Sequence, residues 1–139
     1  GWYEMHFLET MKAMLVWTGA GAILIFALMY VDSLFTKYKD FAEVKAGNMA
    51  VTVRMIMKLV AQGYILSGSI ATANNLLEAL VYSVIAFVIL LVLEVIVRLL
   101  LRYWAQFDLD KGTQEGKIGF GLFSGALHLV GALIITACF

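Results

Sequence analysis

The chain has 139 residues, 63% of them hydrophobic and only 14% charged, with ten basic and ten acidic residues. Soluble domains carry about 25% charged residues, so a chain this apolar cannot cover a water-facing surface and belongs in a bilayer. A formal net charge of zero removes the long-range field that would attract nucleic acid.

Four apolar stretches, at 13–35, 49–71, 76–101 and 117–138, are each long enough to cross a bilayer, which takes about 20 mostly apolar residues. The expected fold is an all-α integral membrane protein, a single domain over 1–139 with four transmembrane helices. The absence of proline suits unbroken helices. Twelve glycines suit close helix–helix approach, where packing replaces the hydrophobic drive. The opening Gly1-Trp2-Tyr3-Glu4-Met5-His6 lacks the basic start of a signal peptide and is expected to be a trimmed terminus. No C-terminal tail is expected beyond Phe139.

The first stretch ends near Asp32 and Ser33, which places Asp32 at about the inner interface, capping or pairing with a nearby base. Its centre, Trp17-Thr18-Gly19-Ala20-Gly21-Ala22, has no acid. Short four-helix drug exporters carry a carboxylate there, so a proton-coupled exporter of that kind is disfavoured.

The second stretch carries Arg54, Lys58, Gln62, Ser69 and Thr72, which fall within roughly an 80° wedge at 100° per residue. Counted from Gly47, Arg54 lies about 10 Å deep and Lys58 about 16 Å. Both cations could snorkel to the nearer interface. Gln62, Ser69 and Thr72 continue the polar face beyond that reach, which favours a buried or water-facing stripe.

The third stretch places Glu94, Arg98 and Arg102 at four-residue spacing, the favourable order for pairs within a helix. A self-neutralised set near the inner interface is expected for Arg98 and Arg102. Glu94 is deeper and is open to pairing with Arg54 or Lys58 instead. Glu78, at the other end, reads as a solvated interface residue.

The fourth stretch holds Gly121-Leu122-Phe123-Ser124-Gly125, a GxxxG pattern for helix packing through Gly121 and Gly125. His128 falls near mid-membrane, where it reads as a neutral hydrogen-bonded side chain or a proton relay. No ligand lies at metal spacing on its helix. Lone Cys138 offers neither an intrachain disulfide nor a redox pair. No cofactor or metal is expected.

The basic loop residues divide by side. Lys37, Lys39 and Lys45 follow the first stretch, and Arg98, Arg102, Lys111 and Lys117 flank the last connection, whereas Thr72-Ala73-Asn74-Asn75 has no base. Basic loops stay cytoplasmic. Both termini are therefore expected outside, with Tyr38, Tyr103 and Trp104 at the inner interface and Trp2 and Tyr3 at the outer one.

The halves 13–71 and 76–138 resemble each other, each a long helix, a charged loop and then a helix expected to open on glycine, at Gly47-Asn48-Met49-Ala50 and Gly116-Lys117-Ile118-Gly119. Two helices per unit make this a pair of parallel-repeat hairpins. The acidic loop running into Ala46-Gly47-Asn48-Met49-Ala50, the hydropathy layout and the duplicated hairpin resemble the YjfL-like family of bacterial inner-membrane proteins, the domain-of-unknown-function family numbered 350. The likeness spans about 13–138, and the second joint departs from it by lacking the Asn. The resemblance implies a bacterial inner-membrane protein whose relatives lie near membrane-remodelling proteins of the phage-shock kind and near polyamine-linked ligases. It brings no catalytic residues with it.

Nothing in the chain forms a nucleophile elbow, a phosphate loop or paired carboxylates, and the loops are too short to enclose a substrate, so an enzyme is not expected. Two readings remain. One is a homo-oligomeric polar pathway for an ion or small charged solute, lined by Arg54, Lys58, Gln62, Ser69, Glu94, Arg98 and His128, with glycine faces joining the copies. The other is a membrane scaffold or regulatory subunit whose loops, 37–47 and 105–117, dock a cytoplasmic membrane-remodelling partner.

Overall fold

A computed structural model describes residues 2–36 and 38–139, with Trp2 described by its backbone alone. Lys37 and the Trp2 side chain, expected to mark the inner and outer faces, lie outside the described residues. Every described element is helical: α1 (Trp2–Ser33), α2 (Asp40–Lys45), α3 (Met49–Thr72), α4 (Leu76–Trp104), α5 (Leu109–Gln114) and α6 (Ile118–Ala137). Four of these, α1, α3, α4 and α6, are long and apolar enough to cross a membrane.

The observed spans differ from the expected ones mainly at their ends. The first helix begins about three turns before residue 13, because Glu4, Glu9 and Lys12 lower hydropathy without interrupting the helical backbone. Hydropathy marks where hydrocarbon can begin, not where a helix does. Similarly, α4 runs on to Trp104 through Arg102. The two six-residue helices, α2 and α5, occupy loops expected to be irregular; they are too short and too charged to carry an apolar period.

Each short helix ends in a Schellman motif. Gly47 (φ 87°) and Gly116 (φ 83°) take the left-handed backbone, which a Cβ disfavours. Asn48 N–H bonds Glu43 C=O at 2.9 Å, and Lys117 N–H bonds Gly112 C=O at 3.0 Å. These glycines therefore close α2 and α5 rather than opening the helices that follow. Asn48 caps α3 by accepting from Val51 N–H at 3.2 Å. Its amide nitrogen reaches across to the C=O groups of Thr113 (3.2 Å) and Gln114 (2.9 Å) at the end of α5, the first of which also accepts from Gly116 N–H. Lys117, at the matching joint, makes no side-chain cap. One residue thus pins both short helices to the same end of the bundle.

The central pair is α3 and α6. A Cβ at Gly121 would strike the backbone carbonyl of Ala50, and one at Gly125 would lie 2.7 Å from Met57 Sδ. The GxxxG pattern is therefore spent inside the chain, on α3, and not on contacts between copies. Helix α1 stands apart: most of its side chains over 3–26 are exposed. Apolar packing is split in two. Ala61, Ile65, Ala86, Leu90 and Ala132 join α3, α4 and α6, while Leu28, Phe87 and Leu91 join α1 to α4.

Candidate functional site

The polar face of α3 turns inward, and the neighbouring helices bring it partners. Arg54 and Lys58 are each only 1% exposed. Lys58 Nζ donates to both carboxylate oxygens of Asp32, at 2.6 and 2.8 Å, from the last turn of α1. It also lies 3.0 Å from Glu94 Oε1 on α4, off the hydrogen-bonding axis, so that contact is electrostatic. Asp32 does pair with a base, as expected, but it is 3% exposed and so belongs to the interior rather than the interface.

Arg54 sits one turn nearer the loops. Its Nε donates to Ser124 Oγ on α6 at 3.1 Å. Its two terminal nitrogens face three carboxylates, Glu94 at 3.6 Å and Asp32 and Asp40 at 3.9 Å each. Neither nitrogen has a hydrogen-bond partner in the described protein. Distances of 3.6–3.9 Å are ion-pair contacts too long for direct hydrogen bonds and suit bridging by water.

Glu94 turns its other oxygen to His128, with Oε2 and Nδ1 3.0 Å apart. The opposite ring nitrogen, Nε2, lies 3.2 Å from the Gln62 amide nitrogen. With Nδ1 donating to the carboxylate and Nε2 accepting from the amide, the imidazole is neutral and fully used. The amide orientation and the tautomer are assigned together from this pattern. Asp32, Arg54, Lys58, Gln62, Glu94 and His128 thus form one network joining all four long helices.

Towards the loops the network meets Asp40, at the start of α2, and Tyr38, just before it. Tyr38 is 5% exposed, not an interfacial tyrosine as expected. It lies among the charges of Arg54, Asp40, Asp110 and Arg98. Burial pushes its phenol up from 10.0 to about 12, against the opposing pull of Arg54. Burial also raises the Asp40 carboxyl above the usual range, again opposed by Arg54. Tyr103 and Trp104 are exposed, as interface residues would be.

Two of the expected groupings change, the self-neutralised set on α4 and the continuous polar face of α3. Arg98 bonds Asp110 on α5, at 3.1 Å, rather than Glu94 on its own helix; Arg102 lies 3.9 Å from Asp108. Glu94 points to the core face of α4, where two bases of α3 outweigh one partner on the same helix. The polar wedge of α3 is also broken. Beyond Gln62 comes the apolar layer of Ala61, Ile65, Ala86, Leu90 and Ala132, and only past it does Ser69 meet Ser83 Oγ on α4 at 3.1 Å. Thr72 is exposed and bonds its own helix, to Gly68 C=O at 2.9 Å.

Tyr38, Asp40 and Ser124 are the members that sequence reasoning missed. Ser124 is one turn before His128, a visible spacing hidden inside the glycine pattern. Tyr38 gave no signal, because a tyrosine beside a membrane span reads as an interface anchor. Among the described residues, no group of three His, Cys, Asp or Glu side chains could hold a metal.

A family model described as Domain of Unknown Function (DUF350) matches residues 5–139, nearly the whole chain. No curated protein and no solved structure matches it.

Proposed function

Given that the chain belongs to the DUF350 family, as its loop joint and hydropathy layout implied, we propose that it forms a polar transmembrane pathway for a small ion, held shut within the bundle. The observation that carries this reading is the burial of Asp32, Arg54, Lys58 and Glu94, each at most 6% exposed, within spans otherwise built for hydrocarbon. Packed apolar residues would serve stability as well as such a network or better. Ionisable groups inside a membrane therefore point to function by default.

On this reading the loop-side half of the pathway is the network itself. The other half is closed by the layer around Ile65 and Leu90. The ion is a cation: three carboxylates (Asp32, Asp40, Glu94) face two bases (Arg54, Lys58), and an anion would meet the excess negative charge. The protein works without covalent chemistry and sits in a bacterial inner membrane, loops inward and both termini outside, following the basic-loop rule. The two hairpins are a parallel repeat, supported by the Schellman joints at Gly47 and Gly116. A homo-oligomer would use the groove of about 450 Å³ between α1 and α3, where Gly21, Ala22, Gly63 and Ser67 leave room for a helix.

The test is flux of monovalent cations into proteoliposomes of a Leu90→Ser protein, in which the closing layer is breached. Glu94→Gln is expected to reduce uptake by about tenfold or more, the scale of losing one intramembrane charge, with helical content retained. Equal uptake with and without Glu94→Gln would remove the pathway.

One observation favours a second reading. Each carboxylate of the network pairs within a single chain, as fixed pairs specifying helix order would. The protein would then be a scaffold, and charge reversal at Lys111 and Lys117 would abolish co-purification of a cytoplasmic partner.

A further inference from the structure

The open question in the pathway reading is which cation enters, and the network's own chemistry bears on it. With both bases protonated and the imidazole neutral, Asp32, Asp40 and Glu94 leave the cluster one negative charge in excess. An uncompensated charge in a low-dielectric interior is costly. One more positive charge balances it. The groups on hand to receive that charge are a carboxylate and an imidazole.

The approach from the loops is equally specific. A cavity of about 500 Å³ opens on that face, lined by Tyr30, Ser33, Thr36, Tyr38, Lys39 and Asp40. Asp40, raised above its usual range by burial, stands at its floor. Behind it come the two terminal nitrogens of Arg54, which make no hydrogen bond, and Glu94 Oε1, which accepts none but lies 3.0 Å from Lys58 Nζ, all fully buried. Arg54 lies 3.9 Å from Asp40 and 3.6 Å from Glu94 Oε1, gaps that water entering from the cavity would bridge by accepting from the guanidinium and donating to a carboxylate. Glu94 Oε2 then touches His128 Nδ1 at 3.0 Å. One turn further on, Ile65, Leu90 and Ala132 end the polar run.

We propose that the Glu94–His128 pair is a proton-binding site, filled from the loop-face cavity by way of Asp40 and past the guanidinium of Arg54, and that the apolar layer beyond it stops the proton there. A proton leaves bulk water for the Asp40 carboxylate, and water entering beside the Arg54 guanidinium, which keeps its own protons throughout, carries it on to Glu94 Oε1. The carboxylate becomes a neutral acid, or the imidazole becomes imidazolium once the Gln62 amide turns its oxygen to Nε2. In either form the cluster gains one proton and its net charge falls to zero. The groups facing the pair are Asp32 from α1, Asp40 from α2, Arg54, Lys58 and Gln62 from α3, and Ser124 from α6. Lys58 stays charged between Asp32 and Glu94. This inference rests on the pathway reading for its physiological use but not for its test.

The test is infrared difference spectroscopy of the full chain in nanodiscs after a pH jump, in a His6→Gln background so that His128 supplies the only imidazole band. Wild type is expected to show one proton taken up by a carboxyl or imidazole group between about pH 4 and 9. The signal should be lost in Glu94→Gln and in His128→Gln. Asp40→Asn should slow uptake by about tenfold or more, the scale of removing one proton-transfer group, and Asp40→Glu should restore it. Ser69→Ala, beyond the apolar layer, should leave the rate unchanged. A pair that does not titrate, or that titrates as fast in Asp40→Asn as in wild type, overturns the proposal. Cation uptake into proteoliposomes with a silent pair would overturn the proton site and leave the pathway standing. A titrating pair without any flux would do the reverse.

Discussion

Lys58 shows how a cation within snorkelling reach of the interface can end in the core instead. It holds Asp32 with two short bonds and sits beside Glu94. Removing it alone, as Lys58→Met, leaves the buried carboxylates of Asp32 and Glu94 with Arg54 as their shared cation. Loss of one member of a buried pair costs about 3–5 kcal/mol, so the variant should unfold at clearly lower denaturant concentration. Adding Asp32→Leu should recover most of that loss, because the pair is then replaced rather than broken. A double variant no more stable than the single one would mean that the Asp32 contact is incidental. Tyr38 makes a separate, pH-dependent prediction. Its phenol is raised from 10.0 to about 12, so the folded state favours the protonated ring. That contribution is fully present below the ordinary phenol value and is lost as pH rises through 10.0 to about 12. Thermal stability in detergent should fall across that window, and Tyr38→Phe should fall less. Identical curves would place Tyr38 outside the network.

Among the elements, the contact between α3 and α6 sets the geometry of everything polar, because Ser124 and His128 reach Arg54 and Gln62 only at close approach. Gly121 permits that approach. Its neighbour is the Ala50 backbone, which cannot swing aside, so Gly121→Ala should separate the helices and cost about 1–3 kcal/mol. Gly119→Ala, with nothing within 4 Å, is the matched control and should be neutral or slightly stabilising. Equal effects of the two would show that α3 and α6 do not pack as closely as Gly121 demands. Asn48 links the short helices to this pair. Asn48→Ala removes an N-cap, worth about 1 kcal/mol, and also removes the amide bonds to the Thr113 and Gln114 carbonyls. It should therefore destabilise by more than a cap alone. The motif was legible as Gly-Asn-x-Ala, but its bond partners were not, since residues 65 and 66 positions away leave no local trace.

For the whole molecule, hydropathy and helical period were enough to place the four spans, because lipid demands continuous apolar helix and little else. The inward polar face of α3 was likewise legible in the spacing of Arg54, Lys58 and Gln62. What could not be read was the choice of partners. Glu94 had Arg98 one turn away and two bases on another helix, and burial, not spacing, decided for α3. Nor did the wedge reveal its interruption, since Ile65 sits on the same face between Gln62 and Ser69. That interruption is where the pathway can be tested most directly. Ile65→Ser and Leu90→Ser together replace the apolar layer with hydroxyls that continue the line from Gln62 to Ser69. Proton permeability of sealed proteoliposomes should then rise by about tenfold or more, on the scale of one proton-transfer group, and Glu94→Gln added to the pair should abolish the rise. A folded double variant as impermeable as wild type would contradict a pathway through the bundle and leave the network as a set of structural pairs.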